Sequence, residues 1–188
     1  MKQRIYRAMI ELTNGKGSST LLKKFATSSF SKKLIRSYSK VYEINIDEVS
    51  KNVDNFSNLH DFFTRSLKEG ARKVAQGATV FASPVDAKIE AFGDITDGII
   101  FTVKNKAYSL VDLLGSEERA AQYRRGKYIV FYLSPADYHR IHSPIDAQVV
   151  RQYVLGQKSY PVNRLGLTYG KKPISHNYRM ISELNYLP

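Results

Sequence analysis

Lys127-Tyr128-Ile129-Val130-Phe131-Tyr132-Leu133-Ser134-Pro135-Ala136-Asp137-Tyr138-His139-Arg140-Ile141-His142-Ser143-Pro144 sets an apolar run directly against a run of polar, ionisable side chains. Tyr128 to Leu133 is aromatic and aliphatic without polar alternation, which predicts a central strand buried on both faces. The Ser-Pro-Ala-Asp that follows is turn chemistry, since proline fixes φ and an aspartate can close the turn through its side chain. Two of the chain's four histidines then occur three residues apart. Strand ends and the loops beyond them are where a rigid scaffold presents reactive groups.

The sequence differs in character to either side of residues 75 to 80. All six prolines lie at Pro84 or later, and seven of the eleven glycines at Gly93 or later. Residues 76–188 predict strands at Thr79–Ala82, Lys88–Phe92, Ile99–Val103, Lys127–Leu133 and Gln148–Leu155. Short helices are expected between strands at Tyr108–Leu114 and Glu117–Tyr123. Residues 1–75 predict amphipathic helices instead. Their apolar faces are Ile5, Tyr6, Met9 and Ile10; then Leu21, Leu22 and Phe25 behind an N-cap at Ser19; then Phe30, Leu34, Ile35 and Tyr38; and finally Leu59, Phe62, Phe63 and Leu67 behind a cap at Ser57. The expected fold class is α+β, an amphipathic helical region over 1–75 followed by a mostly antiparallel β domain over 76–188.

With 188 residues, 43% of them apolar and 24% charged, the chain is long enough to bury a core and too apolar for wholesale disorder. It has no cysteine, which excludes disulfides, thiolate metal sites and cysteine nucleophiles. No apolar stretch approaches the ~20 residues of a membrane-spanning helix, and Met1 to Leu12 lacks the apolar run of a signal peptide. The net charge of +12 is concentrated at the start: residues 1–40 hold ten basic residues against one acid, Glu11. That asymmetry predicts a polyanionic partner, nucleic acid or an anionic lipid surface. No RNP-type aromatic motif, KH loop or zinc-finger spacing accompanies it, so nucleic acid is not expected.

Ser83-Pro84-Val85-Asp86-Ala87 and Ser143-Pro144-Ile145-Asp146-Ala147 are near copies sixty residues apart, and Ser134-Pro135-Ala136-Asp137 is a looser third. The repeat predicts that the first two loops occupy equivalent places, which makes Asp86 the carboxylate to orient an imidazole of the 138–143 segment. An imidazole so oriented can deprotonate a hydroxyl near neutral pH. Ser143 is a poor nucleophile for the adjacent His142, because successive side chains on extended backbone point apart. His-x-x-His can ligate zinc, yet no third ligand stands at a characteristic spacing, and no metal is expected.

Several segments, in order, resemble the phosphatidylserine decarboxylase family. They are Leu59-His60-Asp61-Phe62-Phe63-Thr64-Arg65, Ser83-Pro84-Val85-Asp86, Phe101-Thr102-Val103-Lys104, Tyr108-Ser109-Leu110 with Leu113-Leu114-Gly115, Tyr132 to Pro144, and Tyr160-Pro161-Val162-Asn163. The resemblance implies a lyase that makes phosphatidylethanolamine from phosphatidylserine. Its cofactor is a pyruvoyl group, formed when a serine of the proenzyme attacks its own preceding carbonyl and the chain splits. The substrate amine then forms a Schiff base with the pyruvoyl ketone, which takes up electrons as carbon dioxide leaves. Carried over residue by residue, Asp86 and His142 are the charge relay of self-cleavage, and His139 is the companion histidine beside the substrate carboxylate.

The partners so implied are an anionic phospholipid membrane, phosphatidylserine as substrate, and a small pyruvoyl-bearing chain. The implied location is the cytoplasmic side of the cell membrane, peripherally bound. Three departures stand out. Ala87 and Ala147 replace a glycine of the family pattern, Asn177-Tyr178-Arg179 replaces Asn-Glu-Arg, and the downstream Gly-Ser of the cleavage point is not reached by Pro188. The expectation is therefore an N-terminal part of a proenzyme, inactive by itself. A non-catalytic remnant that binds lipid or a partner chain shares every one of these motifs.

Overall fold

In the computed structural model, which describes residues 16–77, 79–96, 100–103, 106–160, 162, 167 and 172–186, helices form where apolar residues recur at three- and four-residue spacing. Helix α1 (Lys16–Ala26) starts ahead of Ser19, which lies inside it and does not cap it. The stripe expected from Phe30 to Tyr38 is divided between a 3-10 helix (Ser29–Leu34) and helix α2 (Ile35–Val41). A 3-10 helix has three residues per turn where an α-helix has 3.6, so one face cannot run straight through the junction. Ile35 is buried while Phe30 and Leu34 stay exposed.

Helix α3 (Leu59–Phe63) is capped by Asn58 and not by Ser57. Asn58 Oδ1 accepts from Asp61 N at 2.8 Å, and the Asp61 carboxylate accepts from Ser57 N at 3.0 Å. This reciprocal arrangement satisfies two donors that the helix cannot. The face expected on Ile5, Tyr6, Met9 and Ile10 lies outside the described residues, as do Lys104, Pro161 and Asn163.

The later part of the chain forms strands β1 (Lys88–Asp94), β2 (Ile100–Val103) and β3 (Lys106–Ser109), then helices α4 (Leu110–Leu114) and α5 (Glu117–Ala121). Strands β4 (Lys127–Tyr132) and β5 (Ala147–Leu155), helix α6 (Pro173–His176) and strand β6 (Arg179–Tyr186) follow. The strands pair as β1 with β4, β2 with β3 and β5 with β6. The β2–β3 pair is antiparallel and sets Phe101 opposite Tyr108. Helices together with antiparallel strands make the fold α+β.

Three expectations are corrected. Thr79–Ala82 forms no strand among its described residues. The helix expected from Tyr108 begins at Leu110, because Ser109 ends a strand and caps the helix with its hydroxyl. The strand Lys127–Tyr132 is not buried on both faces: it pairs with β1 in a two-stranded sheet, and Ile129 is 56% exposed. Tyr128 and Val130 do pack against the core, so the strand alternates in space where its sequence does not.

Contacts divide the chain into two units that interleave along the sequence. One contains Ile89–Val130 and Val149–Leu184, with a core of Ile95, Phe101, Val103, Tyr108, Leu110, Leu114 and Ala120. In it Arg179 donates to the carbonyls of Asp112, Leu113, Ser175 and Asn177, which accounts for the arginine of the Asn-Tyr-Arg segment. The other unit contains Leu21–Lys88 and Phe131–Gln148. Its core is Ile35, Ile44, Val49, Phe56 and Phe62, with Phe56 and Phe62 edge to face at 5.2 Å. This second unit carries all three candidate site residues.

Candidate active site

The two close copies of the Ser-Pro-x-Asp-Ala repeat lie side by side in the second unit. Ala82 N donates to Pro144 O and His142 N donates to Pro84 O, both at 2.9 Å. Residues 82 and 84 stand sixty positions before 142 and 144, so the two bonds are exchanged by a local twofold relation. Ser83 Oγ donates to Val85 O at 2.7 Å, and Ser143 Oγ repeats this to Ile145 O at 2.6 Å. The equivalence expected of the two loops is realised, and the Ser143 hydroxyl is occupied in its own turn. The third copy closes its own turn: Asp137 Oδ2 accepts from Ser134 N at 2.6 Å.

This pairing opens a cleft of about 900 Å³ lined by Arg72, Asp86, Tyr138, Arg140, His142 and Ser143 among others. His142 is exposed in it, with its ring stacked beside Tyr138 and Nε2 at 3.1 Å from the tyrosine hydroxyl. Asp86 does not bond His142. Its Oδ2 accepts from Arg72 Nε at 2.7 Å and forms an ion pair with Nη2 at 2.6 Å. Arg72 also holds Glu48 Oε2 at 2.9 Å through Nη1, and these carboxylate bonds, Asp86 first, push its pKa above the ordinary arginine value. Sequence reasoning had no signal for Arg72, a cation in a loop without periodicity or motif.

His139 does not line the cleft. It stacks on Phe63 with ring centres 3.9 Å apart, and its Nε2 lies 2.9 Å from Ser134 O, a carbonyl that accepts the proton of the Nε2–H tautomer. Burial lowers its pKa; the Ser134 bond pulls upward next, and the charges of Arg65, downward, and Asp137, upward, follow. Arg65 is 3% exposed and donates through Nη2 to Ala136 O and Asp137 O, at 2.7 and 2.9 Å. Arg140 Nε returns the tie to Thr64 O at 3.0 Å. The Phe-Phe-Thr-Arg stretch thus clamps the turn that carries both histidines.

A family model for phosphatidylserine decarboxylase matches residues 59–186. That span includes the clamp, both repeat loops and the whole cleft-forming segment.

The chain belongs to the phosphatidylserine decarboxylase family.

The phosphatidylserine decarboxylase proenzyme of Bacillus thuringiensis (strain Al Hakam) is 51% identical over 185 residues, which are 98% of this chain and 71% of that relative. The proenzymes of the same name from Bacillus cereus (strain 03BB102) and Bacillus mycoides (strain KBAB4) show the same identity and the same coverage. Within this decarboxylase-family chain, neither Gly-Ser pair sits at the cleft. Gly17-Ser18 is inside α1, and Gly115-Ser116 joins α4 to α5, with Gly115 at φ 79° and Ser116 Oγ accepting from Arg119 N.

Proposed function

We propose that the protein is a carboxy-lyase that converts phosphatidylserine to phosphatidylethanolamine and carbon dioxide on an anionic membrane surface. The observation that carries this reading is the twofold pairing of the Ser83 and Ser143 loops, which brings Asp86 and His142 into one cleft inside a family-matching segment. The residues of that cleft fit a pyruvoyl group and its substrate: Arg140, with Nε on Thr64 O, offers a cation to an anionic group, and His142 offers a base. Pyruvoyl supplies the electron sink that decarboxylation needs.

The remaining roles belong to this chain's own side chains. His142 Nε2, now against a tyrosine hydroxyl, takes the proton of the serine hydroxyl during self-cleavage. Asp86 balances the imidazolium charge that results. His139, whose pKa burial lowers and which does not line the cleft, is the histidine that the family resemblance assigns to the later decarboxylation step. The processed enzyme pairs this chain with a small pyruvoyl-bearing one.

Membrane attachment falls to the basic amphipathic segments. Leu21, Leu22 and Phe30 are 70%, 67% and 60% exposed, among Lys23, Lys24, Lys32 and Lys33. Apolar side chains ringed by lysine suit the headgroup boundary, and the anionic cytoplasmic leaflet is the surface that attracts them. The full-length, processed protein presented with phosphatidylserine in mixed micelles is expected to release carbon dioxide and phosphatidylethanolamine in equal amounts. Lack of both products from such a preparation would refute the reading.

A further inference from the structure

Asp86 and His142 share a cleft without touching, and each keeps one atom in reserve. Both Arg72 contacts, the Nε hydrogen bond and the Nη2 ion pair, fall on Asp86 Oδ2, so Oδ1 has no partner among the described residues. His142 spends Nε2 on Tyr138, and Nδ1 likewise has none. Arg72 itself is held on every nitrogen: Nε and Nη2 on Asp86, Nη1 on Glu48 Oε2 and on Ala71 O. Glu48 is fixed in turn, because its carbonyl accepts from Lys68 N at 2.8 Å beside the Val49–Leu67 bridge.

We infer that Arg72 is the positioning residue of the Asp86–His142 pair, anchoring the carboxylate by Oδ2 and leaving Oδ1 as the acceptor for His142 Nδ1–H. A planar guanidinium can do this where an ammonium cannot, since its donors lie in a fixed fork that fixes direction as well as charge. An aspartate without that anchor is free to rotate about its side-chain torsions, and the imidazole loses the partner that selects its tautomer. The inference rests on the charge-relay reading above, and the experiment separates the two.

Self-cleavage of the full-length protein is followed as band pattern against time. Arg72→Ala is expected to slow it roughly tenfold, the scale of one charge-assisted hydrogen bond at a partly exposed site. Guanidinium well below denaturing concentration is expected to restore much of the rate, because the cleft is open to solvent. Arg72→Lys should remain slow, and Arg72→Ala with Asp86→Asn should be no slower than Asp86→Asn alone and indifferent to guanidinium. Should the alanine variant melt below the assay temperature, Arg72→Gln carries the same test. Wild-type cleavage by Arg72→Ala beside a slow Asp86→Asn overturns the inference alone. So does a slow, normally folded Arg72→Ala that ignores guanidinium. Wild-type cleavage by Asp86→Asn overturns the charge relay itself.

Discussion

His139 and His142 are three residues apart and live in different surroundings. His142 faces an open cleft, while His139 is stacked on Phe63 and tied to Ser134 O. Burial sets the His139 pKa below its ordinary 6.5, so between the two values the unfolded chain binds more protons than the folded one. The contribution to stability is then complete above about pH 6.5 and is lost as pH falls toward the folded-state value. Thermal melts on either side of that pH should show a smaller acid loss in His139→Gln than in the wild type. Equal slopes would mean that His139 is not held neutral by the fold. The repeat made the nearness of Asp86 and His142 legible in the sequence, because two like loops pack in like ways. Arg72 was not legible, since a charged loop residue leaves no periodic trace and its partner is fourteen residues away.

At the level of elements, caps and turns decide what the apolar pattern leaves open. Removing the Asn58 cap by Asn58→Ala should cost about 1 kcal/mol, read as a lower denaturant midpoint with unchanged slope. An unchanged midpoint would show that α3 is held by Phe62 packing alone. Gly156 has φ 82°, and a Cβ there would run into the carbonyl of Asn177. Gly156→Ala should therefore destabilise by more than the ~1 kcal/mol of lost glycine freedom, and wild-type melting would contradict this.

Strands β1, β2, β4 and β5 were readable because turn residues bracket segments that carry β-branched or aromatic residues. The strand Arg179–Tyr186 was not, since Arg, Ser, Glu and Asn interrupt its apolar residues. The apolar run Tyr128–Leu133 misled in the other direction. It marks a strand, while its burial depends on partners that one sequence segment does not contain.

For the molecule as a whole, the charge asymmetry is the feature with the longest reach. Full-length protein should sediment with vesicles containing anionic lipid, and more weakly as salt rises, since each basic residue near such a surface contributes about 1 kcal/mol that salt screens. Deleting residues 1–40 should remove most of that binding, and Leu21→Ser with Leu22→Ser should weaken it. Binding indifferent to salt and to the deletion would refute the lipid role. The central claim, that Asp86 and His142 of one cleft drive self-cleavage while His139 serves the later step, is tested most directly by band pattern and carbon dioxide release on the full-length protein. His142→Ala and Asp86→Ala should stay uncut, losing roughly 10²–10⁴ in rate, whereas His139→Ala should be cut and yet decarboxylate poorly. Normal cutting of His142→Ala or Asp86→Ala, or an uncut His139→Ala beside them, would contradict the account.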